Sequence, residues 1–368
     1  MCALYVGIMS GTSLDGIDIA LSRFNPDQQQ AECLDAICLD IPNELKQQLL
    51  SLCASADDEL VRAGQAGNHW ATLAAAGVNQ LLQRNQLNAA AIRAIGSHGQ
   101  TVRHHPELGF SLQIGAPALL AELTNINVIS DFRSRDLAAG GEGAPLVPAF
   151  HAWLLSDPQR TRTLINIGGF ANLTIMRPGK PPAGFDSGPG NALMDAWIQQ
   201  HQGLAYDDAG QWARQGSVVP ELLQQLLADP YFARRGPKST GREYFNPRWL
   251  DQQLSRYGSS IPAADVQATL LALTAHSIAD SVRLTASDSA AVYLCGGGAR
   301  NTLLLDQLDQ LLPEQQVATT QALGADPDWM EAMAFAWLAW RFDERLAGNL
   351  PSVTGARGER VLGALYPA

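Results

Sequence analysis

One pattern occurs twice in this chain, and it constrains the fold more than any other feature. Ala3 to Met9 is an apolar run that stops at Ser10-Gly11-Thr12-Ser13-Leu14-Asp15-Gly16; an alternating run, Ile17 to Phe24, follows. Apolar strand, glycine-rich turn and alternating strand predict a β-hairpin. Thr163 to Ile167, Gly168-Gly169 and Phe170 to Met176 lay out the same plan. Gly11 and Gly168 are 157 residues apart in a chain of 368. The two turns differ in sequence, so the repeat is one of architecture. A chain of this length holds about two domains, and the repeat divides it into two hairpin-bearing halves.

Between the hairpins, strand and helix patterns alternate. Cys33 to Ile41, Ala91 to Ile95, Ile126 to Ile129, Pro182 to Phe185 and Ala291 to Leu294 read as further strands. Asn43 to Cys53, Ala63 to Leu87, Asn191 to Gln200, Val219 to Leu227, Ala264 to Leu284 and Thr302 to Leu312 carry helical spacing. Pro327 to Leu346 predicts a buried, Trp- and Ala-rich helix with Asp326 as N-cap. The class is α/β. Ala138 to Pro148, rich in Gly and Pro, is the candidate hinge. Several strands end in clusters of Gly, Ser, His, Asp and Arg, where ligands of α/β sheets sit.

Composition narrows the function. Charged residues make up 17% and hydrophobic ones 46%, which favours packed cores over disorder. The net charge of −11, with no basic run, argues against nucleic acid or an anionic membrane as partner. Five cysteines (Cys2, Cys33, Cys38, Cys53, Cys295) without a Cys-x-x-Cys fit neither a disulfide framework nor a zinc ribbon. No basic n-region and no apolar run of ~18 residues occurs, so a cytoplasmic chain without leader or membrane span is expected.

Absent motifs exclude familiar chemistry. There is no Gly-x-x-x-x-Gly-Lys-Ser/Thr, no Gly-x-Gly-x-x-Gly, no Gly-x-Ser-x-Gly and no His-Glu-x-x-His. His104-His105 reads as part of a solvated loop. Three glycine-rich strand ends remain: Ser10 to Gly16, Gly168-Gly169 and Gly296-Gly297-Gly298. Glycines let backbone N–H groups approach a phosphate, while Asp15 and Asp18 are candidates to hold a hydrated Mg²⁺, directly or through water. Each turn alone also reads as an ordinary tight turn; three in one chain point to a nucleotide clamp. Asp186, in Phe185-Asp186-Ser187-Gly188-Pro189-Gly190-Asn191, follows a short strand and precedes a helix. It reads equally as a helix cap or as a general base whose effect comes from positioning, since an ordinary Asp with pKa near ~3.9 is a weak base. Lys238 to Glu243 reads as a solvated loop or a basic loop near an anionic substrate, and Glu331 as an exposed helix residue or one facing the ligand.

These segments in combination resemble the anhydro-N-acetylmuramic acid kinases, bacterial sugar kinases of the actin/heat-shock-70/hexokinase fold. The resemblance rests on Met9 to Asp18, Gly96 to Thr101, Ser130 to Asp136, Asn166 to Thr174, Phe185 to Asn191, Lys238 to Asn246, Gly296 to Asn301, Gly324 to Ala334 and Asn349 to Ala356. It implies a two-domain actin-like ATPase (ribonuclease-H-like) fold around a cleft, with domain I at 1–130 plus about 347–368 and domain II at 131–346. Gly11, Thr12, Ser13, Leu14, Asp15, Gly16, Ile17 and Asp18 would form the first phosphate turn, Gly168 and Gly169 the second, and Gly296, Gly297 and Gly298 the adenosine-side loop. Asp186 matches the catalytic base; Glu331 matches a position near the sugar, and His98, Gln100 and Arg133 are candidates to read it. Many relatives in the wider superfamily carry an Asp where Met9 and Ser10 stand, which leaves Asp15 and Asp18 as the local acids for Mg²⁺. The implied reaction uses ATP to open 1,6-anhydro-N-acetylmuramic acid hydrolytically and phosphorylate O6, giving N-acetylmuramic acid 6-phosphate for peptidoglycan recycling. A homodimer is expected. The rivals are a conventional sugar kinase of this fold, a non-catalytic ATP-gated clamp, for which the chain leaves no peptide-binding module, and a metallohydrolase, which lacks a ligand cluster.

Overall fold

The computed structural model describes the chain apart from residues 1, 2, 12, 13, 15, 28, 235–237, 239, 242 and 243. It divides into unit 1, Met1–Leu154 with Gly324–Ala368, and unit 2, Leu155–Leu323.

In unit 1, β1 (Leu4–Met9), β2 (Ile17–Asn25) and β3 (Gln30–Leu39) form an antiparallel meander. On the other side of β1 lie β4 (Ile92–Ser97) and then β7 (Val128–Ser130), both parallel to it. The strand Ala364–Tyr366 closes that edge. Two further strands, β5 (Gln100–His105) and β6 (Phe110–Ile114), make a separate hairpin. Unit 2 repeats the plan with β8 (Thr161–Ile167), β9 (Phe170–Met176), β10 (Ala183–Pro189), β11 (Ser289–Cys295) and β12 (Gln316–Thr319). β8, β9 and β10 are antiparallel, and β8, β11 and β12 are parallel, in the order β10-β9-β8-β11-β12. The expected architectural repeat is thus a repeat of strand order and direction, the ribonuclease-H-like arrangement of actin-like ATPases.

Period-2 alternation explains how unit 1 buries both faces of its sheet. Val6 and Ile8 join the core formed with Trp70, Ala71, Ala74 and Val78 of the helix Glu59–Arg84. Tyr5 and Gly7 face the helix Met330–Asp343: the Tyr5 hydroxyl donates to Asp343 at 2.9 Å. This helix lies almost flush on the strands. A Cβ on Gly7 would stand 1.8 Å from the Ala332 carbonyl oxygen, and one on Gly96 would stand 2.0 Å from that of Phe335. Both obstacles are backbone, so the helix would have to move. Gly7→Ala is expected to destabilise the protein by about 3 kcal/mol, the upper range for overpacking, read as a lowered midpoint in denaturant at unchanged slope.

The units part at Leu154/Leu155 and at Leu323/Gly324, rather than near 130 and 346. Phe24 of β2 packs on Phe150 (6.4 Å between ring centroids), Trp153 (6.1 Å) and Trp340 (5.9 Å). That cluster draws the helix Val147–Leu155 and the helix Met330–Asp343 onto the first sheet. Asp326 does not cap the latter helix. Its carboxylate accepts the Asp328 N–H at 3.0 Å, and the helix begins at Met330 without a side-chain cap. His104-His105 ends β5 rather than lying in a loop; His104 Nδ1 meets Ser111 Oγ at 3.0 Å.

Candidate active site

The β1–β2 turn of unit 1 is braced from below by one buried amide. Gln100, 2% exposed, accepts from the Ser10 hydroxyl at 2.6 Å and donates to the Gly11 carbonyl at 3.1 Å. Both ends of its side chain thus bond to the turn and hold Ser10 and Gly11 in place. Leu14 adopts φ +57 and turns its side chain into the core, as Ile17 does. Both side chains are taken up by that core. A Cβ on Gly16 would lie 2.5 Å from Cys38 Sγ and 3.1 Å from the Leu39 carbonyl oxygen, so the Cys38 side chain would have to turn aside. Asp18 stands opposite both Met9 and Cys38 in register. Directly opposite residues of an antiparallel pair share a face, which puts Asp18 beside the strand end where Met9 stands. Thr12, Ser13 and Asp15 fall outside the described residues.

Arg133, His98 and Glu331 come together in the same unit. Arg133 Nη2 meets His98 Nε2 at 2.8 Å, and Nη1 donates to the Gly143 carbonyl at 2.7 Å. A guanidinium only donates, so His98 accepts at Nε2 and is neutral. Burial, and then Arg133, push its pKa down to about 3. Burial also lowers the Arg133 guanidinium to about 10, against a pull upward from Glu331; it stays charged at neutral pH. The Arg133 loop is tied down by a residue that sequence reasoning left without a role. Asp136 is fully buried and accepts from Gly143 N (2.9 Å), Asn349 Nδ2 (2.7 Å) and Thr354 Oγ1 (2.8 Å).

In unit 2 the glycines separate into two kinds. Gly296 (φ +78) and Gly298 are explained by packing: a Cβ on either would lie 2.3 Å from Asn166 Oδ1 or Ile167 Cγ2. Gly168, Gly169 and Gly297 meet nothing closer than 3.7 Å, leaving open space against the backbone. That space is what a phosphate-carrying ligand needs from a glycine turn. The carbonyls of Gly168 and Gly169 accept the N–H groups of Gly190, Asn191 and Ala192, which locks the turn to the start of the helix Ala192–Gln202.

Asp186 lies inside β10 rather than after it, because the strand continues through a bulge between Asp186 and Gly188. The register sets Asn166, Asn172 and Asp186 opposite one another across β8, β9 and β10, a row of polar side chains on one face. Asp186 is half-buried, and its Oδ2 accepts the Thr240 N–H at 3.0 Å. Its own N–H donates to the Lys238 carbonyl at 2.9 Å, and its carbonyl accepts the Tyr231 hydroxyl at 2.8 Å. A carboxylate fixed in this way can take a proton from a hydroxyl or a water. Tyr231, Asn172 and Asn191 escaped sequence reasoning. Tyr231 carries no motif, and the two asparagines sat inside segments noted for other reasons.

Among the described residues no three His, Cys, Asp or Glu side chains converge as a metal site, and no helix is long and apolar enough to cross a membrane. The family model described as anhydro-N-acetylmuramic acid kinase matches residues 3–368. The anhydro-N-acetylmuramic acid kinase of Pseudomonas putida is 57% identical over 366 residues, covering 100% of both chains. That of Pseudomonas fluorescens is 55% identical over 368 residues, covering 99% of each. Among solved structures, the activator of the 2-hydroxyisocaproyl-CoA dehydratase from Clostridium difficile with bound ADPNP is alike at a TM-score of 0.48. It is 10% identical and covers 93% of this chain and 96% of that one. The fold assignment rests on strand order and direction instead of on that distant likeness. With its whole length matched by one family model, and more than half its residues shared with each of two full-length relatives, the chain belongs to the anhydro-N-acetylmuramic acid kinase family.

Proposed function

We propose that the chain opens the 1,6-anhydro ring of anhydro-N-acetylmuramic acid with water and phosphorylates the freed O6 from ATP. The observation that carries this reading is Asp186, a carboxylate set in a strand by three hydrogen bonds and aligned with Asn172. The bridging oxygen of the anhydro sugar carries no proton, so a base has nothing to remove from the acceptor itself. Asp186 instead takes a proton from a water that attacks C1. The C1–O6 bond breaks, O6 displaces ADP from the γ-phosphorus, and the proton leaves to solvent. The products are N-acetylmuramic acid 6-phosphate and ADP. Positioning supplies most of the effect of so weak a base.

Other residues fill supporting roles. Gly168, Gly169 and Gly297 leave room for phosphate and adenosine against the backbone, and Gly11, braced by Gln100, heads the second such turn. Arg133, charged and backed by His98, suits the lactyl carboxylate of the sugar. Glu331, close enough to act on Arg133, orients that guanidinium. Mg²⁺ keeps several waters and needs only one or two carboxylates, so Asp18 fits a cation held mainly by phosphate oxygens, with Asp15 as the second acid. Such an ion neutralises charge on the phosphates. A cytoplasmic place of work, where ATP is available, and a homodimeric assembly belong to the same reading.

The test is turnover of anhydro-N-acetylmuramic acid with ATP in ¹⁸O-water, with product read early. Label is expected at C1 of the phosphorylated sugar, and none in the phosphoryl group. Phosphorylated product without label at C1 would mean a conventional kinase acting on a free hydroxyl.

A further inference from the structure

β10 is the edge strand of its sheet, and the backbone of Asp186 turns its N–H and its carbonyl outward, away from β9. Both are met by one later segment. The N–H goes to the Lys238 carbonyl and the carbonyl to the Tyr231 hydroxyl, while Thr240 N–H reaches the carboxylate itself. Tyr231 is held rigidly for this task. It is 1% exposed, and its ring packs at right angles on Phe245, 5.3 Å away. Lys238 completes the arrangement. Its ammonium donates to the Tyr231 carbonyl at 3.2 Å and lies 4.5 Å from the centre of the Tyr231 ring.

We propose that Tyr231 and Lys238 are positioning residues for Asp186, Tyr231 fixing its backbone and Lys238 supplying the cation that keeps its carboxylate ionised when anionic substrates arrive. The proposal rests on the reading of Asp186 as the base. Burial, and then Arg234, push the Lys238 ammonium below its ordinary value, while Asp186 pulls it back up. An interaction that favours the charged lysine favours the charged aspartate to the same degree. Burial, and then Asp186, push the Tyr231 hydroxyl up, so it stays a donor at working pH. Among the described residues, the charged or titratable groups on this side are Tyr231, Arg234 and Lys238, with Tyr244 packed on the Tyr231 ring and Asp229, which accepts the Tyr244 hydroxyl and the Tyr231 N–H, behind them. The other elements packed on β10 present the neutral Asn172 from β9 and Thr274 and Ser277 from the helix Ala263–Thr285. The need follows from the substrates. ATP and a sugar acid bring several negative charges, and like charge drives a carboxylate toward protonation, where it is no longer a base.

The experiment compares pH profiles of kcat and kcat/KM for the wild type, Lys238→Met, Lys238→Arg, Tyr231→Phe and Asp186→Asn. In Lys238→Met the acid limb of kcat, which reports the substrate complex, is expected to move up by roughly one pH unit. Lys238→Arg restores it. Tyr231→Phe lowers kcat roughly tenfold and leaves the KM for ATP unchanged. An acid limb that stays in place in Lys238→Met, whatever its rate, overturns the role of Lys238, and Lys238→Gln gives the same comparison should the Met variant not fold. An unchanged kcat in Tyr231→Phe overturns the role of Tyr231. Asp186→Asn separates the two levels: if it keeps its turnover, the base assignment fails first and the positioning roles fail with it. If it loses turnover while the Lys238 and Tyr231 variants behave as wild type, only the positioning roles fail.

Discussion

Asp186→Asn is expected to lower kcat by about 10²–10⁴-fold, the usual range for removing a general base, while ATP binds within about threefold of the wild-type affinity. The substitution is a clean one here. Asparagine keeps an oxygen that can accept the Thr240 N–H, and its backbone N–H and carbonyl still serve Lys238 and Tyr231. The segment that grips β10 therefore stays in place. What is lost is the negative charge and the capacity to take a proton from water. The glycines credited with the nucleotide, Gly168, Gly169 and Gly297, are untouched. Steady-state turnover of the anhydro sugar, with ATP affinity measured separately by calorimetry, decides the matter. Near-normal turnover with intact ATP binding would falsify the role given to Asp186, and loss of ATP binding would move that role from chemistry to the nucleotide.

The hairpins were legible because local signals agreed with tertiary structure. Met9 and Ile17 bound a turn whose glycines and polar residues interrupt two apolar runs, and the β8–β9 hairpin follows the same rule. Asp186 was legible as a residue but not in its place. Gly188-Pro189-Gly190 reads as chain breakers, yet on an edge strand a proline costs no ladder bond, and a bulge carries β10 to Pro189. The partners of Gln100 were hidden for a related reason: only the tertiary fold brings Ser10 and Gly11 against both ends of its amide. The limits of the units depended on aromatic contacts between Phe24, Phe150 and Trp340, which join residues over 300 positions apart and leave no local trace. Tyr231 is 45 residues from Asp186, and no spacing rule connects a phenol to a distant carbonyl. What sequence spacing conveys is the local elements and the residue types at strand ends. Which polar groups meet is decided when the sheets assemble.

Asp136→Ala is expected to cost about 4 kcal/mol of stability and to raise the KM for the sugar acid more than that for ATP. The carboxylate is fully buried, and three neutral donors use it: Gly143 N, Asn349 Nδ2 and Thr354 Oγ1. Asn349 and Thr354 are themselves 4% and 1% exposed, so water has little access to replace the lost oxygens. Each donor left unpaired costs about 1–3 kcal/mol, and relaxation of the loop keeps the sum below three full penalties. At roughly 2–4 °C per kcal/mol for a unit of this size, Tm should fall by about 10 °C. Asp136→Asn is expected to recover only part of this. Whichever way its amide is turned, an NH₂ group faces either Gly143 N–H or the Asn349 and Thr354 donors. The functional effect follows from the next bond along. Gly143, whose N–H is anchored by Asp136, offers its carbonyl to Arg133, and Arg133 is the guanidinium assigned to the lactyl carboxylate. Releasing Gly143 loosens Arg133 but leaves the Gly168-Gly169 turn intact, so the two substrates should separate in KM. Calorimetric Tm together with KM for each substrate tests both halves. A Tm within about 2 °C of wild type rejects the buried carboxylate as a structural tie. An equal rise in both KM values shows that Arg133 does not depend on it.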